Sequence, residues 1–421
     1  MKIVCKFIAI TVISLFLTSC VGEEPNDIGY ITALGIDKSE EEFKFTIQFA
    51  NPTKISGGAA EEGGSGGNIV ENVVVKAPTM YAALNNADNI VSKELSMSHA
   101  KVIVVSEEVA KSMMREITDV IARNNDIRPD VYIAVAEDAE KYLEGVKPVV
   151  ELNPVKYYQL IYENKKGGAV PQNDAAKFYM SIQSGDRDCV LPLSGIVGTK
   201  DESGGDTDAG TEKEQGEGNE KPVENGKNKD AQTNEQDFQN KTKNYFAGEA
   251  GEKIKNKSEP LGLGVFKGDT YICRLGSVDA ELYNILMHNM KWTRVSFYSG
   301  EKQPITMRIE EKTVPRYAID KEKKQVQIKI NLEAELLSAP EGYVVDDKIL
   351  SEMVDAAMEE FLDRAYNELK VDIYGIKGKL KKQFLTIKSY NEYAKSFSPD
   401  EWTISVNTKL KTKRSGMTHY Y

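Results

Sequence analysis

The sequence contains little histidine and little cysteine, which restricts the chemistry it can perform. Its 421 residues include three histidines, His99, His288 and His419, and four cysteines. No two histidines have the spacing of a helical metal pair, and none is close to a cysteine in the sequence, so the residue count argues against a zinc site of these two types. No His-Glu-x-x-His motif occurs. We therefore predict that the protein is not an enzyme and holds no metal or cofactor.

Long hydrophobic runs are also lacking. The most apolar stretch, Phe7 to Phe16, follows two lysines and has about half of the ~20 residues that a helix needs to cross a bilayer. This pattern predicts a signal peptide over residues 1–19 rather than a membrane span. No later stretch is apolar over the length of a span, so another device must hold the protein if it stays at a membrane.

The residues Leu17-Thr18-Ser19-Cys20 resemble the lipobox of bacterial lipoproteins. The resemblance implies cleavage before Cys20 and acylation of its thiol. Each buried methylene of an acyl chain contributes ~0.8 kcal/mol, so two or three chains would hold a protein at the bilayer surface. The alternative is an ordinary secretory signal that happens to carry a cysteine. We predict the lipid anchor, with Cys20 as its attachment site.

Two cysteines remain if Cys5 leaves with the signal peptide and Cys20 is acylated. Cys189 and Cys273 are too few for a disulfide scaffold. They are either joined by one disulfide bond or are two separate small apolar side chains.

Positive charge is in deficit, with 54 basic and 65 acidic side chains and a formal net charge of −11. This balance argues against nucleic acid as a partner. It also opposes adhesion of the whole chain to anionic lipid, which would leave membrane association to the acyl chains.

Alternating and helical patterns predict an α+β, multi-domain protein, with two to three domains whose mixed or antiparallel sheets are packed by helices. Strict alternation over 43–49 and over 325–336 predicts half-buried strands, and Gly262 and Gly264 predict a strand that another backbone approaches closely. A helical stripe of apolar residues begins after Ser106, and a long amphipathic helix is predicted over 347–370. We divide the chain into a signal peptide (1–19), a lipidated tether (20–27), an N-terminal α+β domain (28–199), a low-complexity insertion (200–257), a middle α+β segment (258–300) and a C-terminal α+β domain (301–421).

The insertion is distinguished by its composition of glycine, glutamate, lysine, asparagine, aspartate and glutamine. Such a segment has too few apolar side chains to order itself, so we predict that residues 200–257 are disordered.

A group of tyrosines, Tyr157, Tyr158, Tyr162 and Tyr179, has two interpretations. The rings could line a sugar or amino-acid pocket, or they could pack on helix faces with their hydroxyls at the surface. We favour helix packing, and we interpret His99 as a structural histidine at the entrance of a strand.

The order of several short blocks resembles the Ger(x)C family, the lipoprotein C-subunits of bacterial spore germinant receptors. The blocks span residues 27–38, 48–52, 98–101, 127–130, 265–269 and 372–375. The chain departs from the family's usual pattern at Tyr271 to Gly276 and in the length of the insertion.

The resemblance implies a non-catalytic assembly or signalling subunit that is needed for nutrient-triggered germination. It implies lipid anchoring on the outer face of the spore inner membrane, beside multi-spanning A and B subunits of the receptor. The alternative is a solute-binding lipoprotein that captures a small nutrient directly.

Overall fold

The computed structural model describes residues 28–50, 70–91, 93–146, 153–163, 168, 170–197, 257–298, 304–339 and 346–413. The predicted signal peptide, Cys20, the tether and nearly all of the predicted insertion lie outside the described residues. The domain limits given above stay predictions. Among the described residues, no helix is both long enough and apolar enough to cross a membrane.

The first sheet is mixed, and its strand order is β3-β2-β1-β5-β6-β7-β8-β9, with β4 paired to the start of β1. Its central strands β1, β5, β6 and β7 are parallel, and both edges are antiparallel. The strands are β1 (Ile28–Ser39), β2 (Glu42–Ala50), β3 (Val70–Ala77), β4 (Glu94–Ser96), β5 (Val102–Ser106), β6 (Tyr132–Ala136), β7 (Val190–Val197), β8 (Lys257–Lys267) and β9 (Thr270–Leu275).

Helices cover both faces of this sheet, so its central strands are buried on both sides. One core contains Leu34, Ile103 and Ile133, while the other contains the alternating Ala33, Val102 and Ala134. The helices are α1 (Met80–Val91), α2 (Glu107–Ser112), α3 (Met114–Arg123), α4 (Ala139–Gly145), α5 (Pro154–Tyr162) and α6 (Ala175–Ser184).

Side-chain caps fix where several of these helices begin. Ser106, Asp138 and Asn153 each accept a hydrogen bond from a backbone N–H in the first turn of α2, α4 and α5. Each cap satisfies a donor that has no partner within the helix, which typically contributes about 1 kcal/mol. All three are short polar residues just ahead of an apolar stripe, and the sequence reveals them for that reason.

The prediction of one helix after Ser106 is wrong. Met113 leaves the helical conformation at φ −125° and ψ 5°, and the chain continues in α3. The buried side continues across the break, because Ala110, Met114 and Ile117 keep helical spacing, while Met113 itself is half-buried. The apolar spacing spans the break and therefore conceals it.

The glycine-containing strand is confirmed, and it is β8. Gly262 has φ +135°, and a Cβ atom there would lie 2.0 Å from the carbonyl oxygen of Leu275 on β9. Glycine is needed because the neighbouring backbone occupies the place of any side chain.

The second sheet orders its strands β10-β11-β12-β13. These are β10 (Trp292–Tyr298), β11 (Pro304–Asp320), β12 (Gln325–Ser338) and β13 (Thr403–Lys413). Strand β12 shows the predicted alternation, with Val326, Ile328 and Ile330 buried and the intervening residues exposed.

Helix α7 (Ser277–Met287) lies between the two sheets, whereas α8 (Asp347–Asp363), α9 (Ile376–Leu380) and α10 (Ile387–Lys395) pack with the second sheet. The predicted long helix is confirmed: α8 continues through a π-helical turn at Arg364–Glu368. Its apolar side, with Leu350, Val354 and Phe361, shares one core with the buried side chains of β12. The same core takes in Val190 and Val265 of the first sheet, so it joins the two sheets. With these two mixed sheets the α+β, multi-domain prediction is confirmed.

The two faces of β12 give a direct test of this packing. Ile330→Asp places a carboxylate in the core, where Ile330 is 1% exposed, and we expect a loss of about 3–5 kcal/mol in the free energy of unfolding. Lys329→Asp, on the exposed neighbour, should change it by less than about 0.5 kcal/mol. Chemical denaturation measures both variants, and equal midpoints would contradict the assigned faces.

Candidate functional site at the joint between the two sheets

Helix α7 carries buried polar groups toward both halves of the molecule. Asp279 in its first turn forms an ion pair with Arg364 of the π-helical turn, and both side chains are almost fully buried. Burial raises the pKa of the Asp279 carboxyl, while the Arg364 guanidinium opposes that rise. Asp279 also accepts a hydrogen bond from the Gly276 N–H at 3.2 Å. One carboxylate therefore fixes the start of α7 and ties it to α8.

The opposite end of α7 contacts the N-terminal half. The Asn173 amide donates to the carbonyl oxygen of Val190 at 2.8 Å and to the hydroxyl of Tyr283 at 3.0 Å. The Asn284 amide donates to the carbonyl oxygens of Gly168 and Val170 at 2.6 and 2.8 Å. These hydrogen bonds are all buried, so they are sensitive to any relative movement of the two parts.

A third polar residue of α7 lies at the same contact. Glu281 packs beside Gly168 and faces Thr293 of β10. Burial raises the pKa of its carboxyl to about 8, although a hydrogen bond with Thr293 favours the charged form. At neutral pH this side chain is therefore mainly protonated.

Residues 186–188 form a second contact between the two halves. We call this contact and the contacts of α7 together the joint between the sheets. Asp188 accepts hydrogen bonds from the N–H groups of Gly268, at 2.9 Å, and Asp372, at 2.8 Å. Its own N–H donates to the carbonyl oxygen of Asp372 at 3.0 Å. Asp186 accepts from the Gly378 N–H at 2.9 Å through its carbonyl and from the Tyr390 hydroxyl at 2.7 Å through its carboxylate. The lead into β7 thus holds both the β8–β9 turn and the chain around α9.

Asp372 organises the C-terminal side of this contact. Its carboxylate accepts from the backbone N–H groups of Ile376 and Lys377, at 2.7 and 2.8 Å, and from the hydroxyl of Tyr366. Burial raises the pKa of the Asp372 carboxyl, and the hydrogen bonds it accepts oppose that rise. Gly375 beside it has φ +73°, with the Arg187 side chain close to where a Cβ would lie. A compact turn, built on one carboxylate and one glycine, presents the Asp372 backbone to Asp188.

The blocks that carry the family resemblance lie at structural contacts. Asp37 of β1 accepts from the N–H groups of Ala139 and Glu140 at 2.8 and 2.9 Å, which anchors α4. Lys101 donates its N–H to the carbonyl oxygen of Thr32 at 3.0 Å. The last two blocks meet through Asp188, which sequence reasoning missed because a single aspartate in a turn has no distinguishing pattern.

The tyrosines pack on helix faces as predicted, but the expected surface position of their hydroxyls is wrong for two of them. The Tyr158 hydroxyl donates to the Gln48 side chain at 2.9 Å, and the Tyr162 hydroxyl bonds those of Tyr142 and Ser194 at 2.8 and 3.0 Å. Burial raises the pKa of both Tyr158 and Tyr162 far above the usual value. Internal polar partners explain the burial, and the sequence does not reveal them because they lie far away along the chain.

The remaining candidate residues are dispersed. Cys189 and Cys273 are not joined by a disulfide bond. The ring of His99 is exposed and meets Tyr30 edge-on at 4.7 Å, while Nδ1 of His288 lies 2.8 Å from the Glu311 carboxylate. Within the described ranges no three His, Cys, Asp or Glu side chains are placed to hold a metal ion.

The fold and this joint define a class: an α+β protein of two mixed sheets that are held together by buried carboxylates and amides. Two family models match the chain. The spore germination protein N-terminal domain matches residues 22–196, and the spore germination B3/GerAC-like C-terminal domain matches residues 261–416. The chain belongs to the GerAC-like family of spore germination proteins.

Individual relatives are distant. The chain is 24% identical over 137 residues to the putative spore germination protein YfkR of Bacillus subtilis (strain 168), and 27% identical over 131 residues to spore germination protein KC of the same organism. These alignments span 32% and 30% of this chain and 36% and 32% of the relatives, or about a third of their length. The crystal structure of the GerBC protein aligns with 90% of this chain and 97% of its own, at 12% identity and a TM-score of 0.47.

Removing the Asp188 carboxylate should loosen the joint. In Asp188→Ala the N–H groups of Gly268 and Asp372 lose their acceptor, and we expect a loss of about 1–3 kcal/mol in the free energy of unfolding. Asp269→Ala, in the same β8–β9 turn, removes a solvent-exposed pairing with Arg115 and should cost less than about 1 kcal/mol. Urea denaturation compares the two, and an equal loss would mean that Asp188 does not connect the sheets.

The raised pKa of Glu281 predicts a pH dependence of stability. Because the folded-state pKa is about 8 and the unfolded value about 4.5, the unfolded chain ionises first and stability falls as pH rises between these values. Glu281→Gln keeps a hydrogen-bonding group without the charge, so it should be more stable than the parent by about 2–4 kcal/mol at pH 8 and similar to it at pH 4. Parallel pH profiles of the melting temperature for parent and variant would contradict this assignment.

Proposed function

We propose that this protein is the lipoprotein C-subunit of a spore germinant receptor and acts as a non-catalytic assembly or signalling component. The observation that carries the proposal is the match of both spore germination family models, one to each half of the chain. In this proposal the protein is anchored by acylated Cys20 on the outer face of the spore inner membrane. Its partners are the multi-spanning A and B subunits of the receptor.

The described polar groups support a role in contact rather than in chemistry. The buried carboxylates of Asp37, Asp279 and Asp372 each accept internal hydrogen bonds that fix the start of a helix or a turn. A carboxylate committed to backbone N–H groups is a structural acceptor, whereas a general acid or base must reach a substrate. A body with firmly connected halves can transmit a displacement at one surface to a partner at another.

The tyrosines give no support to direct capture of a nutrient. The tyrosines that could have lined a pocket direct their hydroxyls to Gln48 and Ser194 inside the fold. We expect no rise in melting temperature of the protein with amino acids or sugars. A ligand at a hundredfold excess over its Kd would raise the unfolding free energy by about 2.7 kcal/mol, so a shift of several degrees would favour the solute-binding function.

The anchor is tested by Cys20→Ala. The variant lacks the acyl acceptor, so we expect it to disappear from the membrane fraction of spores and germination through its receptor to fall sharply. Cys5→Ala is the matched control, because it removes a cysteine from the predicted signal peptide without touching the acceptor. Immunoblots of membrane and soluble fractions and the rate of nutrient-triggered germination are the measurements. A membrane-bound and fully active Cys20→Ala protein would exclude the anchor.

A further inference from the structure

Although the chain is acidic, its segment 376–395 is strongly basic. Between Ile376 and Lys395 the sequence has six lysines and one glutamate, and no acidic residue lies between Asp372 and Glu392. The segment comprises α9, a 3₁₀ turn at Lys381–Gln383 and α10. It therefore carries a local positive charge that the net charge of −11 conceals.

Two apolar side chains project from the middle of this segment. Leu385 is fully exposed and Ile387 is 70% exposed. The lysines around them, Lys381, Lys382 and Lys388, are exposed too. We name these residues, together with Lys377, the lysine–leucine patch.

The fold holds Leu385 outward. Phe384 turns inward, with its ring 5.1 Å from that of Tyr393 and 4.6 Å from the ammonium group of Lys321. Thr386 caps α10 by accepting from the Ser389 N–H at 3.1 Å. With both neighbours fixed, Leu385 has no core to fold into.

The patch has few acidic neighbours, and some of them already form ion pairs with lysines. Asp186 lies 3.8 Å from the Lys381 ammonium group. Asp320 and Glu322 belong to the turn that carries Lys321, and Asp320 is engaged with Lys323. Lysines surrounding exposed aliphatic side chains have the composition of a surface that rests on an anionic bilayer, with the aliphatic groups at the acyl boundary.

The first sheet brings this patch to the side from which the predicted tether leaves. Strands β1, β5, β6 and β7 are parallel, so their starts share one edge of the sheet. Ile28 is at the start of β1, and segment 186–188, which contacts Lys381, directly precedes β7. Three strand spacings separate β1 from β7, or about 14 Å. Eight residues of tether reach at most about 28 Å.

We propose that the lysine–leucine patch rests on the anionic surface of the membrane in which the protein is anchored, with Leu385 and Ile387 inserted between the headgroups. The patch then acts as a second contact that fixes the orientation of the body. This inference rests on the lipid anchor proposed above. Each lysine near an anionic surface strengthens the association by about fivefold.

The opposite end of the second sheet offers a matched control surface. At the start of β13, the Thr403 N–H donates to the carbonyl oxygen of Lys324, next to the patch. Near the end of β13, the Thr412 N–H donates to the carboxylate of Asp347 at the start of α8. Nine residues of strand place these ends about 30 Å apart. Ile349 on α8 is 52% exposed and serves as the control for Leu385.

The test uses the full, membrane-extracted protein reconstituted in vesicles of phosphatidylcholine, with or without phosphatidylglycerol. Leu385→Cys and Ile349→Cys are labelled with an environment-sensitive fluorophore, and lipid-attached nitroxides quench it. The parent chain, labelled identically, gives the background of its own cysteines. We expect strong quenching at position 385 in anionic vesicles, little in neutral ones and little at position 349.

Charge reversal separates lipid attraction from mere proximity. In the Leu385→Cys protein, Lys382→Glu with Lys388→Glu should lower the equilibrium constant for contact between the patch and the anionic surface by more than tenfold, and the quenching should fall with it. About 1 M salt should have the same effect, because it shortens the Debye length to about 3 Å. Lys348→Glu with Lys411→Glu changes the net charge equally at the control end and should leave the quenching at position 385 unchanged.

The outcomes distinguish the two proposals. Protein that does not stay with vesicles at all contradicts the anchor, whereas vesicle-bound protein with equal quenching at 385 and 349 overturns the patch alone. Quenching that ignores lipid charge also overturns it. A photo-crosslinking residue at position 385 that joins a protein in spore membranes, instead of lipid, would assign the patch to a protein partner.

Discussion

The contact between Asp188 and Asp372 holds the two halves of the molecule in one arrangement. The Asp188 carboxylate accepts hydrogen bonds from N–H groups of both the β8–β9 turn and the turn at Asp372. Its own N–H donates a hydrogen bond to the carbonyl oxygen of Asp372. Apolar packing alone tolerates sliding, because it is not directional. Hydrogen bonds of fixed geometry do not tolerate it, so this contact sets the register in which the shared core closes.

The buried ion pair of Asp279 and Arg364 works in the same direction. Removing two charges from water is costly, and their attraction in the interior often does no more than compensate. Such a pair is therefore weak support for stability, and its clearer consequence here is position: it admits one placement of α7 against the π-helical turn. With Asn173 and Asn284 bonded on the other side, α7 is fixed between the two sheets.

The sequence predicts elements better than it predicts this joint. Alternation in β12, the caps Ser106, Asp138 and Asn153, and the closely approached glycine strand all depend on neighbours along the chain or on residue type, so they can be read directly. The break at Met113 cannot be predicted in this way, because the apolar spacing continues through it. The role of Asp188 cannot be predicted either, because its hydrogen-bond partners are 80 and 184 positions away. The burial of the tyrosine hydroxyls cannot be predicted for the same reason, because Gln48 and Ser194 lie on strands 110 and 32 positions away from Tyr158 and Tyr162.

Net charge is a poor guide to the surface of this protein. A deficit of lysine and arginine argues against adhesion of the whole body to anionic lipid. Yet the short segment from Ile376 to Lys395 alone contains six lysines and one glutamate. Charges more than about 8–10 Å apart are screened from each other at physiological salt, so a bilayer responds to the nearest lysines and not to the sum over the chain. The same turn that presents Asp372 to Asp188 leads directly into α9 and the lysine–leucine patch. A displacement of this surface would therefore reach the joint between the sheets through the short helices and turns of residues 372–395.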